Sequence, residues 1–138
     1  MQQDLKWLLD RFTSRIAEVK AAVLLSEDGL VMEASGPLEA ADAEHVAALA
    51  AGYHSLSKGV TQVVGGGSVI QTFAELPHGF FMVAAAGSGT CLAVIVGHEE
   101  GLDTDFKEVA YEMEQLAASV GHVLSTTPRA SEQPAVAQ

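Results

Sequence analysis

Residues 21–35 read AAVLLSEDGLVMEAS, in which two apolar runs flank the polar segment Ser26-Glu27-Asp28-Gly29. Short apolar runs of this kind are typical of β-strands, and Gly29 can adopt the positive φ that a tight hairpin turn requires. The stretch therefore predicts a β-hairpin, and the other elements can be ordered around it.

Helical patterns lie on both sides of this hairpin. Apolar residues recur at helical spacing from Gln3 to Lys20, from about Asp42 to Val60, and again from Leu102 to Leu124. Between the second and third patterns come three short apolar runs, SVIQTFAE, GFFMVAAA and TCLAVIVG, each separated from the next by a turn-forming segment. The last two runs are apolar on both alternating faces, which is typical of strands that are covered on both sides.

The predicted element order is α-β-β-α-β-β-β-α, which belongs to the α/β (α+β) class. We expect three layers, α/β/α, built on a five-stranded antiparallel sheet, with helix two on one face and helices one and three on the other. The chain has 138 residues, enough for one domain with a hydrophobic core. We place this domain at residues 1–125, and the polar, proline-containing segment 126–138 predicts a disordered tail.

Composition argues against several classes of protein. Eighteen acidic and seven basic residues give a formal charge of -11, which disfavours binding to nucleic acid and to anionic membrane surfaces. No apolar run approaches the length of a membrane span, and the first residues lack the pattern of a signal peptide. The single cysteine is compatible with a reducing compartment. We expect a cytoplasmic protein that does not insert into membranes.

The residues that could carry chemistry do not form a recognisable site. A phosphate-binding loop leads from a strand through glycines into a helix, whereas Gly65-Gly66-Gly67 follows a helix and precedes a strand. Cys91 lies in an apolar strand pattern, as a core residue would. The histidines lack the spacing of metal ligands and are expected to be solvated; they are His45, His54, His78, His98 and His122. The sequence predicts no catalytic residue, no cofactor or nucleotide site and no metal site, and hence no enzyme.

Helix two has two unlike faces. We expect the larger apolar side chains of Val46, Leu49, Tyr53, Leu56 and Val60 to pack on the sheet. The opposite face should then be charged if it met only water, but it carries small residues, among them two glycines. Small residues allow a second helix to approach closely. The alternative is a helix that is merely rich in alanine, the best helix former. We favour a helix–helix interface with another chain.

The order of the elements and several of these motifs resemble the roadblock family, also called the dynein light-chain roadblock family, and in particular its bacterial, actinomycete-type members. The resemblance covers roughly residues 4–124. The motifs that carry it are DLKWLLDRF, VLLSEDGLVMEASG, HVAALAAGYHSLSKGV, the triple glycine before a strand, and FFMVAAAGSGTCLAVIVG. They are patterns of glycines and apolar runs without a catalytic set.

The resemblance implies a homodimer in which the long helices pack antiparallel and the edge strands from Ser68 to Glu75 pair. With the small face of helix two, it predicts a dimer interface of Ala47, Ala48, Ala51, Ser55, Gly59, Ser68, Ile70 and Thr72.

The resemblance also implies a non-enzymatic scaffold or regulator of a small Ras-like GTPase. Candidate partner-binding residues are His54 and Lys58 at the rim of helix two, and Trp7 on the outer side of helix one. A sensor-kinase-like membrane protein is a further expected partner, which would recruit the chain to the membrane. The alternative function is a profilin-like or PAS-like sensory domain, which would need a partly polar cavity between sheet and helix.

Overall fold

The computed structural model describes residues 2–97 and 105–126, and it confirms the predicted element order and the α/β class. In chain order the elements are α1 (Gln2–Arg15), β1 (Val19–Ser26), β2 (Val31–Ser35), α2 (Ala40–Val63), β3 (Gln71–Leu76), β4 (Gly79–Ala85), β5 (Thr90–Gly97) and α3 (Phe106–Thr126). None of the helices in these ranges is long and apolar enough to cross a membrane.

The five strands form one antiparallel sheet in the order β2-β1-β5-β4-β3. The hairpin predicted for residues 21–35 is β1–β2, and Gly29 in its turn has a φ of +88°. Strands β1 and β5 lie at the centre, where Leu24 is opposite Leu92 and Leu25 is opposite Cys91. Both strands are almost completely buried, which accounts for their uninterrupted apolar sequences.

Helices cover both faces of the sheet, as predicted. On one face, α1 and α3 bury Leu9, Phe12 and Met113 against the sheet residues Leu24 and Met82. On the other face, α2 packs against a second apolar cluster of the sheet, which contains Val23, Leu25, Val83, Cys91 and Ala93. The three-layer α/β/α arrangement is therefore confirmed.

The observed boundaries differ from the predicted ones at all three helices, and α2 extends beyond the predicted span at both ends, from Ala40 to Val63. Helix one ends at Arg15, because Val19 already pairs with Val96 in the sheet, and pairing with β5 overrides the helical spacing of the sequence. Helix three begins beside Asp105, whose carboxylate accepts hydrogen bonds from the backbone N–H of Lys107 (3.0 Å) and Glu108 (3.3 Å). It continues to Thr126, which we had assigned to the tail; the rest of the predicted tail, 127–138, lies outside the described residues.

The triple glycine connects α2 to β3, as the sequence indicates. Gly65, Gly66 and Gly67 have φ values of +100°, +98° and +108°, a backbone region that other residues rarely adopt. Three such residues in a row explain why these three positions of the connection are glycine. Their role in this part of the chain is conformational.

Candidate functional site

The outward face of α2 carries a stripe of large apolar side chains. Leu49 is 56% exposed, Leu56 77%, Val60 60% and Val63 84%. These positions share one side of the helix, since they are separated by about two, one and one helical turns. Side chains of this size contribute roughly 1.5–3 kcal/mol each when they become fully buried, so a contiguous stripe in water indicates a binding surface.

This stripe contradicts part of the predicted orientation of α2. The prediction placed Leu49, Leu56 and Val60 on the sheet and the small residues outward; of the small residues, Ala48, Gly52, Ser55 and Gly59 are exposed as predicted. The residues of α2 that are buried against the sheet, however, are Ala43, Ala47, Ala50 and His54. The larger residues at the predicted sheet-facing positions, Val46 and Tyr53, are only half-buried.

The physical reason is the close approach of α2 to the rest of the domain. The side chains of Val23, Leu25 and Val83 fill most of the space between the sheet and α2. The residues of α2 that face them are therefore mainly small. The hairpin tip is equally close: a Cβ added at Gly29 would lie 3.4 Å from the Cα of Ala48. Apart from His54, the buried positions of α2 carry only alanine, and the large side chains of Leu49, Leu56, Val60 and Val63 are exposed on its outer face.

The strand β3 lies beside α2 at one end of the sheet. Among the described residues it pairs only with β4, so one of its edges has no strand partner. Exposed apolar side chains accompany this edge: Ile70 just before the strand (69% exposed) and Leu76 (47%). Phe73 is 48% exposed, but its ring lies on the opposite face of the sheet, 4.6 Å from that of Phe106 in α3. An exposed apolar edge is a template for pairing with another chain. We call the outward stripe of α2 (Leu49, Leu56, Val60 and Val63), together with β3 and Ile70, the α2/β3 surface.

A groove of about 470 Å³ joins the two parts of this surface. On the α2 side the groove is lined by the small residues Gly52 and Ala48, which fill little of it. Ala74 of β3 and Phe81 of β4 line the opposite side. Tyr53 bridges helix and strand, because its ring stacks on Phe81 (centroids 6.1 Å apart) and its hydroxyl donates to the carbonyl of Phe73 at 2.7 Å. These contacts fix the position of Tyr53 in the wall of a shallow groove that is lined mainly by apolar side chains.

The predicted dimer-interface residues are divided by this orientation of α2. Ala47 is completely buried against the sheet and cannot contact another chain. Ala51 and Thr72 are half-buried. The exposed members of the set are Ala48, Ser55, Gly59, Ser68 and Ile70. Sequence reasoning missed Leu49, Leu56, Val60 and Val63, although their spacing along one helical stripe was visible.

Of the predicted partner-binding residues, His54 is misplaced. It is 7% exposed beneath α2, and its Nδ1 has no hydrogen-bond partner among the described residues, so it is neither solvated nor at the rim. Lys58 is exposed, with its Nζ 3.6 Å from the Glu27 carboxylate. Trp7 is 57% exposed on α1, as expected for an outward position.

Burial of His54 has a consequence for stability. Desolvation lowers the pKa of His54 below 6.5; the charge of Lys58 lowers it further, and Glu27 opposes the shift. The folded chain thus prefers the neutral imidazole, and this contribution to stability is complete above pH 6.5 and is lost as the pH falls through the folded-state pKa. We expect the free energy of unfolding, measured with urea, to decrease between pH 7 and about 5.

A matched pair of variants assigns this slope to one side chain. His54→Gln should reduce the decrease between pH 7 and about 5, because it removes the buried imidazole that faces Lys58, Glu27 and Cys91 and puts an amide that does not titrate in its place. His45→Gln, an exposed histidine on the same helix, should leave it unchanged. An equal slope in the His54→Gln variant and the native chain would contradict the assignment.

Other chemistry finds little support in the described ranges. No group of three or more His, Cys, Asp or Glu side chains within them is arranged to hold a metal ion. Cys91 is buried in β5, and burial, together with the charge of Glu27, raises the pKa of its thiol. A protonated, inaccessible thiol is a poor nucleophile. What remains is an apolar surface suited to binding another macromolecule.

Comparison with known proteins agrees with this kind of site. A crystal structure of a Roadblock/LC7 domain from Streptomyces avermitilis is 41% identical in sequence and has a TM-score of 0.79, with 87% of this chain and 97% of that chain covered. A second structure of such a domain from the same organism is 36% identical, with a TM-score of 0.65 and coverage of 83% and 96%. MglB from Myxococcus xanthus, at 19% identity, has the same fold, with a TM-score of 0.78 and coverage of 90% and 97%.

A search of curated protein sequences found no significant match. The family model of the Roadblock/LC7 domain, in contrast, matches residues 5–96, which include the hairpin, all of α2 and nearly all of the sheet. With this match and the 41% identical relative, this chain belongs to the Roadblock/LC7 family.

Proposed function

We propose that this chain forms a homodimer through the α2/β3 surface and that the dimer is a non-enzymatic scaffold or regulator of a small Ras-like GTPase. The observation that carries the proposal is the exposed apolar stripe of α2 beside an unpaired edge strand. Membership in the Roadblock/LC7 family supports the GTPase as partner, because regulators of small GTPases are what the sequence resemblance implies.

The partner that best fits the α2/β3 surface is a second copy of the same chain. A two-fold axis beside α2 would set Leu56 and Val60 of one copy against the same stripe of the other and would bring two β3 edges together, so one patch would satisfy itself. The groove beside Gly52 would receive an apolar side chain of the second copy. A solved structure of MglB, 13% identical to this chain, has a tetrameric arrangement, which supports self-association as a property open to this fold.

The alternative, a sensory domain with an internal ligand cavity, has less support. The space between α2 and the sheet is occupied by Ala43, Ala47 and Ala50, whose side chains are 5% exposed or less. The groove of the α2/β3 surface lies on the outside and is lined mainly by apolar side chains. A ligand sensor would instead need polar groups that converge within an enclosed space.

The experiment is binding to the small Ras-like GTPase encoded nearest to this chain's own gene, loaded in turn with GDP and with a non-hydrolysable GTP analogue. We expect calorimetry to give one GTPase-binding event in at least one nucleotide state, and single-turnover hydrolysis with and without the protein to separate regulation from tethering. If the GTPase binds in neither nucleotide state, the proposed role as a GTPase scaffold or regulator is refuted.

The variant Lys58→Glu tests the one predicted rim residue that remains exposed. Its ion pair with Glu27 is more than half exposed on both sides and contributes little to folding, so the variant should fold. We expect at least about a fivefold loss of GTPase affinity, because the positive charge is replaced by a negative one. Lys107→Glu, an exposed lysine on α3 with the same change of charge, is the control and should retain affinity. An equal loss in both variants would show a general charge effect and contradict a contact at Lys58.

A further inference from the structure

A second exposed feature lies on the opposite layer of the domain, on α1. Trp7, Arg11 and Arg15 follow one another at four-residue spacing, so they share one side of the helix, and all three are exposed. We call these three residues the α1 strip. In a chain of formal charge -11, they gather two of its seven basic residues with its single tryptophan.

The rest of α1 is fixed so that the strip points away from the sheet. Lys6 donates from its Nζ to the carbonyl of Ala34 in β2 at 2.9 Å, and the hydroxyls of Thr13 and Ser35 lie 2.8 Å apart. Leu9 and Phe12 are buried in the core below. The strip is therefore carried on a helix with a fixed orientation.

The two arginines differ in their surroundings. The guanidinium of Arg15 lies 3.5 Å from the carboxylate of Glu112 in α3. The guanidinium of Arg11 lies 5.2 Å from the centre of the Trp7 ring, and no carboxylate of the described residues is within ion-pair distance of it. A guanidinium stacked on an indole keeps its in-plane N–H donors free, and these match a carboxylate in a two-point contact.

A small groove lies directly beside the strip, between α1 and α3. Its volume is about 100 Å³, which is room for one aliphatic side chain, and Leu8, Phe12 and Leu116 form its apolar lining. Polar groups of Glu112, Gln115 and Ser119 stand on its α3 side. Charged donors and an apolar pocket are thus next to each other on one surface.

A purely structural role accounts for part of this arrangement. Arg15 is in the last turn of α1, where a positive charge is favourable near the carboxyl end of a helix. The same argument does not explain Arg11 placed over an exposed Trp7, because an indole on the surface contributes little to folding. Tryptophan and arginine are also the residues most enriched among the energetic centres of protein interfaces.

We propose that the α1 strip is a docking surface for a segment of a partner protein that carries carboxylates beside an aliphatic side chain. One carboxylate binds the free N–H groups of Arg11, the aliphatic side chain enters the groove over Leu8 and Leu116, and the segment covers Trp7. Charge complementarity selects this occupant. The charge of Arg15 is offset by Glu112, so the guanidinium of Arg11 beside Trp7 is the group that would attract a carboxylate of the segment.

This site is separate from the surface of the proposed dimer. The α2/β3 surface lies on one face of the sheet and at its β3 edge, whereas α1 lies on the other face and contacts β2, at the opposite end of the sheet. Both surfaces can therefore be occupied together. Such a dimer would carry two acidic segments in addition to its GTPase, which goes beyond the proposed function.

The test uses the full chain and a short synthetic peptide of Glu and Leu in helical register. The controls are the same peptide with Lys for every Glu, and one with Ser for every Leu. The emission of Trp7, the only tryptophan, reports binding directly. We expect a saturable blue shift with the Glu–Leu peptide alone, and amide shift changes confined to α1 and the facing part of α3.

Matched variants locate the contact. Arg11→Glu should weaken binding of the peptide at least about tenfold, because a guanidinium contact becomes a repulsion, while Lys107→Glu, with the same change of charge, should leave it unaltered. Arg11→Gln, which removes the charge without adding one, should give an intermediate loss, with circular dichroism as the folding control.

Several results would overturn the proposal. They are no binding at about 1 mM peptide, equal losses for Arg11→Glu and Lys107→Glu, shift changes on the α2/β3 surface instead of α1, and binding to phosphatidylserine vesicles but not to the peptide. None of them bears on dimerisation or on GTPase binding, so the two proposals fail or stand separately.

Discussion

The Leu56→Glu variant should be a monomer at concentrations at which the native chain is a dimer. Leu56 is 77% exposed in the middle of the α2 stripe, so a dimer through this face would bury it on both copies. Each copy would lose about 2 kcal/mol of apolar burial. The dissociation constant of the dimer should therefore rise about a thousandfold, before the desolvation of two carboxylates is added.

Light scattering after size-exclusion chromatography measures this effect. The native protein should have twice the mass of one chain, and the variant should have the mass of one chain. The matched control is Trp7→Glu, because Trp7 is also large, apolar and 57% exposed but lies on α1. The control should remain a dimer. A Leu56→Glu variant that stays dimeric, or a native chain that is monomeric at micromolar concentration, would refute the α2/β3 dimer.

The layers of this fold were predictable because the sheet is unambiguous in sequence. The runs that became β4 and β5 have no polar side, and only a strand covered on both faces can bury both sets of side chains. Three helical patterns are available to cover the two faces of the sheet. The hairpin 21–35 and the short turns between the later strands make neighbouring strands antiparallel, so few topologies of the sheet are possible. Local patterns and the overall fold agree here, so each supports the other.

The orientation of α2 was not predictable by the same means, because this helix has two apolar faces. Ala43, Ala47, Ala50 and His54 are spaced as regularly as the large residues of the outer stripe. The rule that the larger apolar face is buried assumes a single buried face. In this chain Ala43, Ala47 and Ala50 pack on the sheet, and the large apolar residues are exposed on the outer side of α2, where we propose the dimer contact.

The length of α2 indicates that part of its apolar surface lies outside the sheet. A helix of 24 residues is about 36 Å long, whereas strands of 5–8 residues span about 17–27 Å. The last turns of α2, with Val60 and Val63, therefore extend past the sheet that could cover them. Large apolar residues that continue beyond the sheet indicate contact with something outside the domain.

The Ala47→Glu variant should lose its cooperative fold. Ala47 has no exposed surface and packs under α2 against the cluster that contains Val23 and Val83, so a carboxylate there would be buried without a partner. Such a change costs on the order of 3–5 kcal/mol, a large part of the stability of a domain of this size. Far-UV circular dichroism against temperature or urea should show a strongly lowered or absent transition.

The neighbouring substitution Ala48→Glu separates the two orientations of α2. Ala48 is exposed and lines the groove of the α2/β3 surface, so this variant should stay folded while its dimer weakens. If α2 instead presented its small face to a second copy, Ala47→Glu would give a folded monomer. That outcome would reject the packing of Ala47, Ala50 and His54 against the sheet. An unfolded Ala47→Glu beside a folded Ala48→Glu would support this packing, and a weakened dimer in Ala48→Glu would support a dimer through the outer face of α2.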